Sequence, residues 1–125
     1  MNGVYIFSGD TSGQPAYQLN KASATGVDRL ITSAATTQIA DPTGVTFQIA
    51  KTAQDIFDKR DSSDNPAPEN TFAALQNLKT ALLAGDTSAI NSAISSVKTA
   101  NDYVNQQSGF YGVAQNRISS SIDLA

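Results

Sequence analysis

The sequence contains no cysteine, no histidine and no tryptophan. Without cysteine there are no disulfide bonds, and without cysteine and histidine together the common zinc sites are excluded. Catalytic triads and dyads that depend on a histidine base or a cysteine nucleophile are excluded for the same reason. Together with the motifs considered below, these absences lead us to expect no enzymatic activity, no metal and no cofactor.

Strong charge and long apolar runs are also absent. Eight basic and eleven acidic residues give a net charge of −3, and the basic residues are scattered. Because phosphate contacts supply most of the affinity for nucleic acid, this composition argues against a nucleic-acid partner. No apolar stretch approaches the length of about 18 residues that indicates a membrane-spanning helix, so we expect no membrane partner.

Neutral polar residues are abundant, and large apolar residues are sparse. Ser, Thr, Asn and Gln number 44 of 125 residues, whereas Leu, Ile, Val and Phe number 27. Such a composition predicts a thin core in which alanine makes many of the contacts.

Residues 1–50 read as a β-rich subdomain. Val4–Phe7 is a short apolar run closed by turn-forming residues, and it predicts a strand. The segments 36–40 and 45–49 flank Asp41-Pro42-Thr43-Gly44, which fits a type I turn, so the pattern predicts a β-hairpin. Residues 24–34 are compatible with either a helical turn or a strand.

Residues 51–125 read as a helical part. The pattern predicts a short helix over 51–58, a polar loop over 59–69, a helix over 70–84 and a long helix over 87–124. Asn70 is suited to cap the helix over 70–84, and Gly85 is suited to end it. Either Asp86 or Thr87 can cap the long helix that follows. The short connection makes the last two helices antiparallel neighbours. We therefore predict an α+β fold, with the β-rich subdomain packed on a helical hairpin whose second helix is long.

The long helix carries an apolar row, here called the seam, which is spaced by three and four positions. Such spacing keeps one row of side chains facing a partner along the whole helix, and we interpret it as an assembly or bundle surface. The pattern is still in progress at Ala125, which we interpret as a sign that the chain is part of something longer. The apolar members of the seam are Ile90, Ile94, Val97, Val104, Tyr111, Ile118 and Ile122.

Two acidic motifs have a chemical and a structural interpretation. Asp10-Thr11-Ser12-Gly13 superficially resembles the Asp-Thr-Gly of aspartic proteases, but Ser8-Gly9 stand where those enzymes have apolar residues, so a tight turn is favoured. Asp55, Asp58, Asp61 and Asp64 recur every three residues. They could bind a hard cation, but the run crosses a helix end into a polar loop, which favours a solvated acidic surface.

Several segments, in order along the chain, resemble a known family. These are Val4–Thr11 followed by Gln14–Tyr17, then Thr52–Phe57, then Asn70–Leu82 followed by Gly85-Asp86, and finally Tyr111–Ile118 on the long helix. Together they resemble the flagellin family, especially its branch that contains the hook–filament junction protein, hook-associated protein 3. In that family a Tyr-Ile/Leu-Phe-Ser/Ala-Gly strand opens a small β domain, and here it corresponds to Tyr5, Ile6, Phe7, Ser8 and Gly9.

The resemblance implies a structural subunit of the bacterial flagellum, located outside the cell and assembled with other flagellin-family subunits through helix packing. It also implies a central fragment, because the family's long N-terminal helix and terminal coiled coil have no counterpart here. Those parts carry most of the axial polymerisation in the family, so we expect this chain alone to be monomeric or weakly associated.

Two other interpretations remain open from the residues alone. A carbohydrate- or surface-binding module would use exposed tyrosines, with Tyr17, Tyr103 and Tyr111 as candidates for stacking on sugars. An enzyme fragment with carboxylate chemistry would show a cleft containing two buried carboxylates with shifted pKa values.

Overall fold

The computed structural model describes residues 3–125 and confirms an α+β fold. Within those residues, two small antiparallel sheets of two strands each pack against a long pair of helices. The strands are β1 (Tyr17–Leu19), β2 (Val27–Arg29), β3 (Gln38–Ala40) and β4 (Thr46–Gln48), and the helices are α1 (Ala53–Phe57), α2 (Thr71–Ala84) and α3 (Thr87–Leu124).

The N-terminal apolar run differs from its prediction. Residues 4–7 do not form a strand; the segment folds back in turns, with the Tyr5 N–H donating to the Ser12 carbonyl and the Ser8 N–H donating to the Tyr5 carbonyl. Ser8 is buried and donates its hydroxyl to the Gln14 carbonyl at 2.7 Å. The strand prediction is therefore wrong, because an apolar run carries no information on whether a pairing strand lies beside it.

Gly9 explains part of this reversal. Its φ of +57° lies in the left-handed region, where a side chain is strained. A Cβ at this position would also lie 3.2 Å from Thr52 Cγ2 and 3.4 Å from the Ala35 Cα. Glycine thus allows the N-terminal turn to pack closely against the start of α1.

The ambiguous segment 24–34 contains a strand. β2 pairs with β1 in antiparallel register, with Tyr17 opposite Arg29 and Leu19 opposite Val27. The hairpin predicted over 36–49 is confirmed: β3 pairs with β4, and the Asp41 carbonyl accepts the Gly44 N–H across the turn.

The helices begin and end at the residues whose side chains suit those positions. The Asn70 side chain accepts the Ala73 N–H at 2.9 Å at the start of α2, and the Asp86 side chain accepts the Ala89 N–H at 3.0 Å at the start of α3. Gly85 ends α2 with a φ of +66°. α3 continues for 38 residues, about 57 Å, without interruption.

The core is thin, as the composition predicts. Between α2 and α3 the buried residues are alanines, which allow the two helix axes to approach closely. Elsewhere the larger buried side chains are Ile31, Phe47 and Ile56. A chain of partly exposed aromatic side chains runs from Phe7 to Phe57 to Phe72 to Tyr17, with successive ring centroids 5.7, 6.4 and 4.8 Å apart.

Candidate assembly surface

The row of α3 that faces its own chain is distinct from the seam. Its buried members are Ala93, Ala100 and Ala114. With the neighbouring positions it forms an inner row of the same period as the seam, displaced by one residue. The inner row comprises Ala89, Ala93, Ser96, Ala100, Tyr103, Gln107, Phe110, Ala114, Arg117 and Ser121.

The second half of the inner row contacts α1 and the strands. The Tyr103 hydroxyl donates to the Asp55 carbonyl at 2.8 Å, and the Lys51 ammonium donates to Gln107 at 2.6 Å. The same ammonium lies 4.8 Å from the centre of the Phe110 ring. The Arg117 guanidinium stacks over the ring of Phe47 on β4, 4.4 Å from its centre. These cation–π and hydrogen-bond contacts fix the orientation of α3 about its own axis.

Each apolar seam residue comes one position after an inner-row residue, so the seam is rotated by about 100° about the helix axis from the inner row. This displacement leaves the seam at the edge of the intramolecular contact. Ile90, Val97, Val104 and Ile118 are half-buried. Ile94 is 54% exposed, Tyr111 38% and Ile122 69%.

α2 adds a second apolar row beside the first third of the seam. Leu75 and Leu82 are exposed and Leu78 is half-buried, and their spacing places all three on one side of α2. The two helices are antiparallel. One cavity between them is lined by Ala84 and Ala89 next to the turn, and by Asn77 and Ser96 farther from the turn. That cavity lies on the opposite side of α2 from the leucines, so the leucines and the seam share the other side of the hairpin.

Gly109 and Gly112 lie within α3 without interrupting it, and a Cβ at either position would meet nothing within 4 Å. Each costs about 1 kcal/mol relative to alanine in a helix interior. The described contacts of the chain therefore do not account for glycine at these positions.

A buried polar cluster joins the β strands to the helices, and the sequence analysis did not identify it. The Asp58 side chain is fully buried and accepts three hydrogen bonds, from the Tyr17 hydroxyl at 2.9 Å, Arg60 Nε at 3.0 Å and Asn70 Nδ2 at 2.6 Å. Burial, followed by the nearby Asp58 carboxylate, raises the pKa of the Tyr17 hydroxyl. Asn70 also caps α2, so this cluster ties β1 directly to the start of the helical hairpin.

The four regularly spaced aspartates have four different structural roles. Asp55 forms a capping box with Thr52, and Asp58 lies in the buried cluster. Asp61 accepts the N–H groups of Ser63 and Asn65 in a turn, which lowers its pKa. Asp64 accepts two hydrogen bonds from Arg29 Nη2 at 2.7 and 2.8 Å. Across residues 3–125 no cluster of carboxylates has the arrangement of a metal site.

The tyrosines proposed for sugar binding lie in different environments. Tyr17 packs against Phe72 and donates to Asp58. Tyr103 donates to a backbone carbonyl of α1, and burial raises the pKa of its hydroxyl. Tyr111 lies on the seam and packs edge-on against Phe110, with ring centroids 5.3 Å apart. Two of the three hydroxyl groups therefore stabilise the fold.

In the part of the chain that the structure describes, no helix combines the length and hydropathy needed to cross a lipid bilayer. Comparisons with models of protein families, with curated proteins and with solved structures give no match. The flagellin resemblance is thus a sequence-based interpretation.

Proposed function

We propose that this chain belongs to a structural subunit of the bacterial flagellum, either of the filament or of the hook–filament junction. Its partners are other flagellin-family subunits, its location is extracellular, and it has neither catalytic activity nor a cofactor. The observation that carries the proposal is the partly exposed seam on α3, an unbroken helix of 38 residues.

The length of α3 favours a neighbouring helix as the partner. The helix is about 57 Å long, roughly twice the width of a domain of this size. The strands and α1 contact one side of it, which leaves the seam available on another side. Burying a side chain such as Ile122 completely contributes about 1.5–3 kcal/mol, so a row of such residues gives a continuous binding surface.

The charge of α3 suits repeated packing of identical subunits. The helix carries two basic residues, Lys98 and Arg117, and two acidic residues, Asp102 and Asp123. A balanced, sparsely charged helix generates little repulsion between neighbouring copies. We therefore expect assembly of the complete protein to depend only weakly on salt concentration.

Localisation tests the flagellar assignment directly. Antibodies raised against residues 3–125 should label the filament, or the junction between hook and filament, in immunogold electron microscopy of the cells that produce the protein. Cells with the gene deleted are the control and should show no label. Label confined to the cell interior, or to surface structures other than flagella, would contradict the proposal.

A paired substitution tests the role of the seam. Ile122→Ser changes an exposed seam residue, and Val113→Ser changes a residue of similar exposure, 69% against 61%, outside the seam. Only the Ile122 variant should impair flagellar assembly when each gene complements the deletion. Circular dichroism of the purified chains should show equal helix content. Equal assembly by both variants would exclude the seam as an assembly surface.

A further inference from the structure

We propose that the outer edge of β1 binds an extended, uncharged segment of another protein, which adds to the sheet as a third strand. The outer edge is the side of Tyr17–Leu19 that faces away from β2. Two observations carry the proposal: main-chain groups of β1 that no other strand uses, and an apolar cavity beside them. The proposal goes beyond the proposed function and does not depend on it.

The hydrogen bonds between β1 and β2 determine which main-chain groups point to the outer edge. The Leu30 N–H donates to the Ala16 carbonyl at 2.9 Å, directly before β1 begins. In an antiparallel pair, residues that face the neighbouring strand alternate with residues that face away from it. Tyr17 and Leu19 therefore direct their N–H and C=O groups away from β2.

The outer edge of β1 is open, whereas the outer side of β2 is partly covered. Within residues 3–125, no other main-chain group hydrogen-bonds to these four groups of β1. On β2, the outward Val27 carbonyl accepts the Ser23 hydroxyl at 2.9 Å and the Thr25 hydroxyl at 3.0 Å. An open strand edge is a template for a further strand. The chain thus covers one side of this sheet and leaves the other side available.

An apolar cavity of about 470 Å³ adjoins the start of β1. Residues 4–8 and 15–17 line it together with Ala53, and none of these residues is acidic or basic. Val4 and Ile6 are 55% and 69% exposed. Exposed apolar surface that is contiguous in this way is typical of interaction sites. Apolar side chains of a bound segment would remove this surface from water.

Together the edge and the cavity define the chemistry of the partner. The outward groups of a strand recur at every second residue, about 6.6 Å apart, and the main chain of an extended peptide repeats at the same distance. The uncharged cavity disfavours a charged segment, because burying an unpaired charge is costly. In strand addition of this kind, main-chain hydrogen bonds supply affinity and side-chain pockets supply specificity.

Nuclear magnetic resonance of the 125-residue chain tests the proposal with an uncharged peptide of strand-forming residues, acetyl-Thr-Val-Thr-Val-Thr-amide. The control is the same peptide with N-methylated main-chain amides, which cannot donate hydrogen bonds to β1. We expect the first peptide to shift the amide signals of Tyr17 and Leu19 and to slow the hydrogen exchange of these amides. The N-methylated peptide should do neither.

Proline substitutions test the edge by changing the protein. Leu19→Pro removes an outward N–H that β2 does not use, so the fold should tolerate it. Ala40→Pro is the matched control on β3: Ala40 is exposed, and its N–H points outward because the next residue, Asp41, donates to Val45. Leu19→Pro should weaken peptide binding by about tenfold or more, and Ala40→Pro should change it by less than about twofold. Circular dichroism verifies that both variants are folded.

Three results would overturn the proposal. The first is the absence of any shift at Tyr17 and Leu19 with millimolar peptide. The second is binding that persists after N-methylation or in Leu19→Pro, because the cavity would then bind apolar side chains without strand addition. The third is a concentration-dependent shift of the same amides without peptide, which would assign the edge to a second copy of the chain. If Leu19→Pro does not fold, the comparison of the two peptides on the unaltered chain decides between these outcomes.

Discussion

Replacing Asp58 with alanine is expected to lower the free energy of unfolding by about 3–5 kcal/mol. The side chain is fully buried and accepts hydrogen bonds from Tyr17, Arg60 and Asn70. Removing one partner of a buried ion pair typically costs about 3–5 kcal/mol, because the remaining charge is left without compensation. Arg60 retains 20% of its side-chain exposure and can regain some hydration, which limits the loss.

The hydrogen-bond donors give an independent estimate of the same magnitude. Each buried donor left without an acceptor costs about 1–3 kcal/mol, and the substitution removes the Asp58 acceptor from the Tyr17 hydroxyl and the Asn70 amide. Asn70 keeps its second acceptor, the Lys59 carbonyl at 3.0 Å, so its cost falls at the lower end. The total is a large fraction of the 5–15 kcal/mol that is typical of a folded domain.

Urea unfolding followed by circular dichroism measures the effect, and Asp61→Ala is the matched control. Asp61 accepts two backbone N–H groups in an exposed turn, so its loss should cost only about 1 kcal/mol. Combining Asp58→Ala with Tyr17→Phe should give less than the sum of the separate losses, because the two side chains form one cluster. A loss below about 1 kcal/mol for Asp58→Ala, or strict additivity with Tyr17→Phe, would refute the reasoning.

Two further predictions concern single positions. Gly9→Ala should lower the free energy of unfolding by about 1–3 kcal/mol, because alanine is strained at the positive φ and its Cβ would lie close to Thr52. Gly13→Ala is the control and should change the free energy of unfolding little, because its Cβ would meet nothing within 4 Å. Equal effects of the two substitutions in urea unfolding would contradict this prediction. The fold favours the protonated Tyr17 hydroxyl, which is why the pKa of Tyr17 is raised. The stabilisation of the fold by Tyr17 is complete below about pH 10, where the unfolded side chain is also protonated, and it decreases as the pH rises above that value. The stability advantage over Tyr17→Phe should therefore shrink above about pH 10 by up to about 1.4 kcal/mol per pH unit, and a constant difference in unfolding free energy would count against it.

Local features of the fold were predictable from the sequence. The boundaries of α2 and α3 follow from Asn70, Gly85 and Asp86, whose capping chemistry acts within a few residues. The second hairpin follows from its turn residues in the same way. The N-terminal run was predicted wrongly, because a strand requires a partner that the local sequence does not specify.

The long-range contacts were not predictable in the same way. Asp58 is one of four evenly spaced aspartates, and its burial depends on Tyr17, a residue 41 positions away. The two rows of α3 share one period, so the spacing alone does not decide which row faces the chain. The neighbouring helix decides it, since the alanines of α2 pack closely only against other small residues.

Alanines fill the contact between α2 and α3, whereas larger aliphatic residues lie exposed on the same two helices. This difference affects how the sequence can change in evolution. At Ala93 and Ala100 any larger side chain would wedge α2 and α3 apart, so purifying selection on folding alone is enough to preserve them. Leu82 and Ile94 are under no comparable restraint from within the described chain. In an alignment of homologues, invariance at these two sites would have to be imposed by another molecule, and free drift there would show that no such molecule exists.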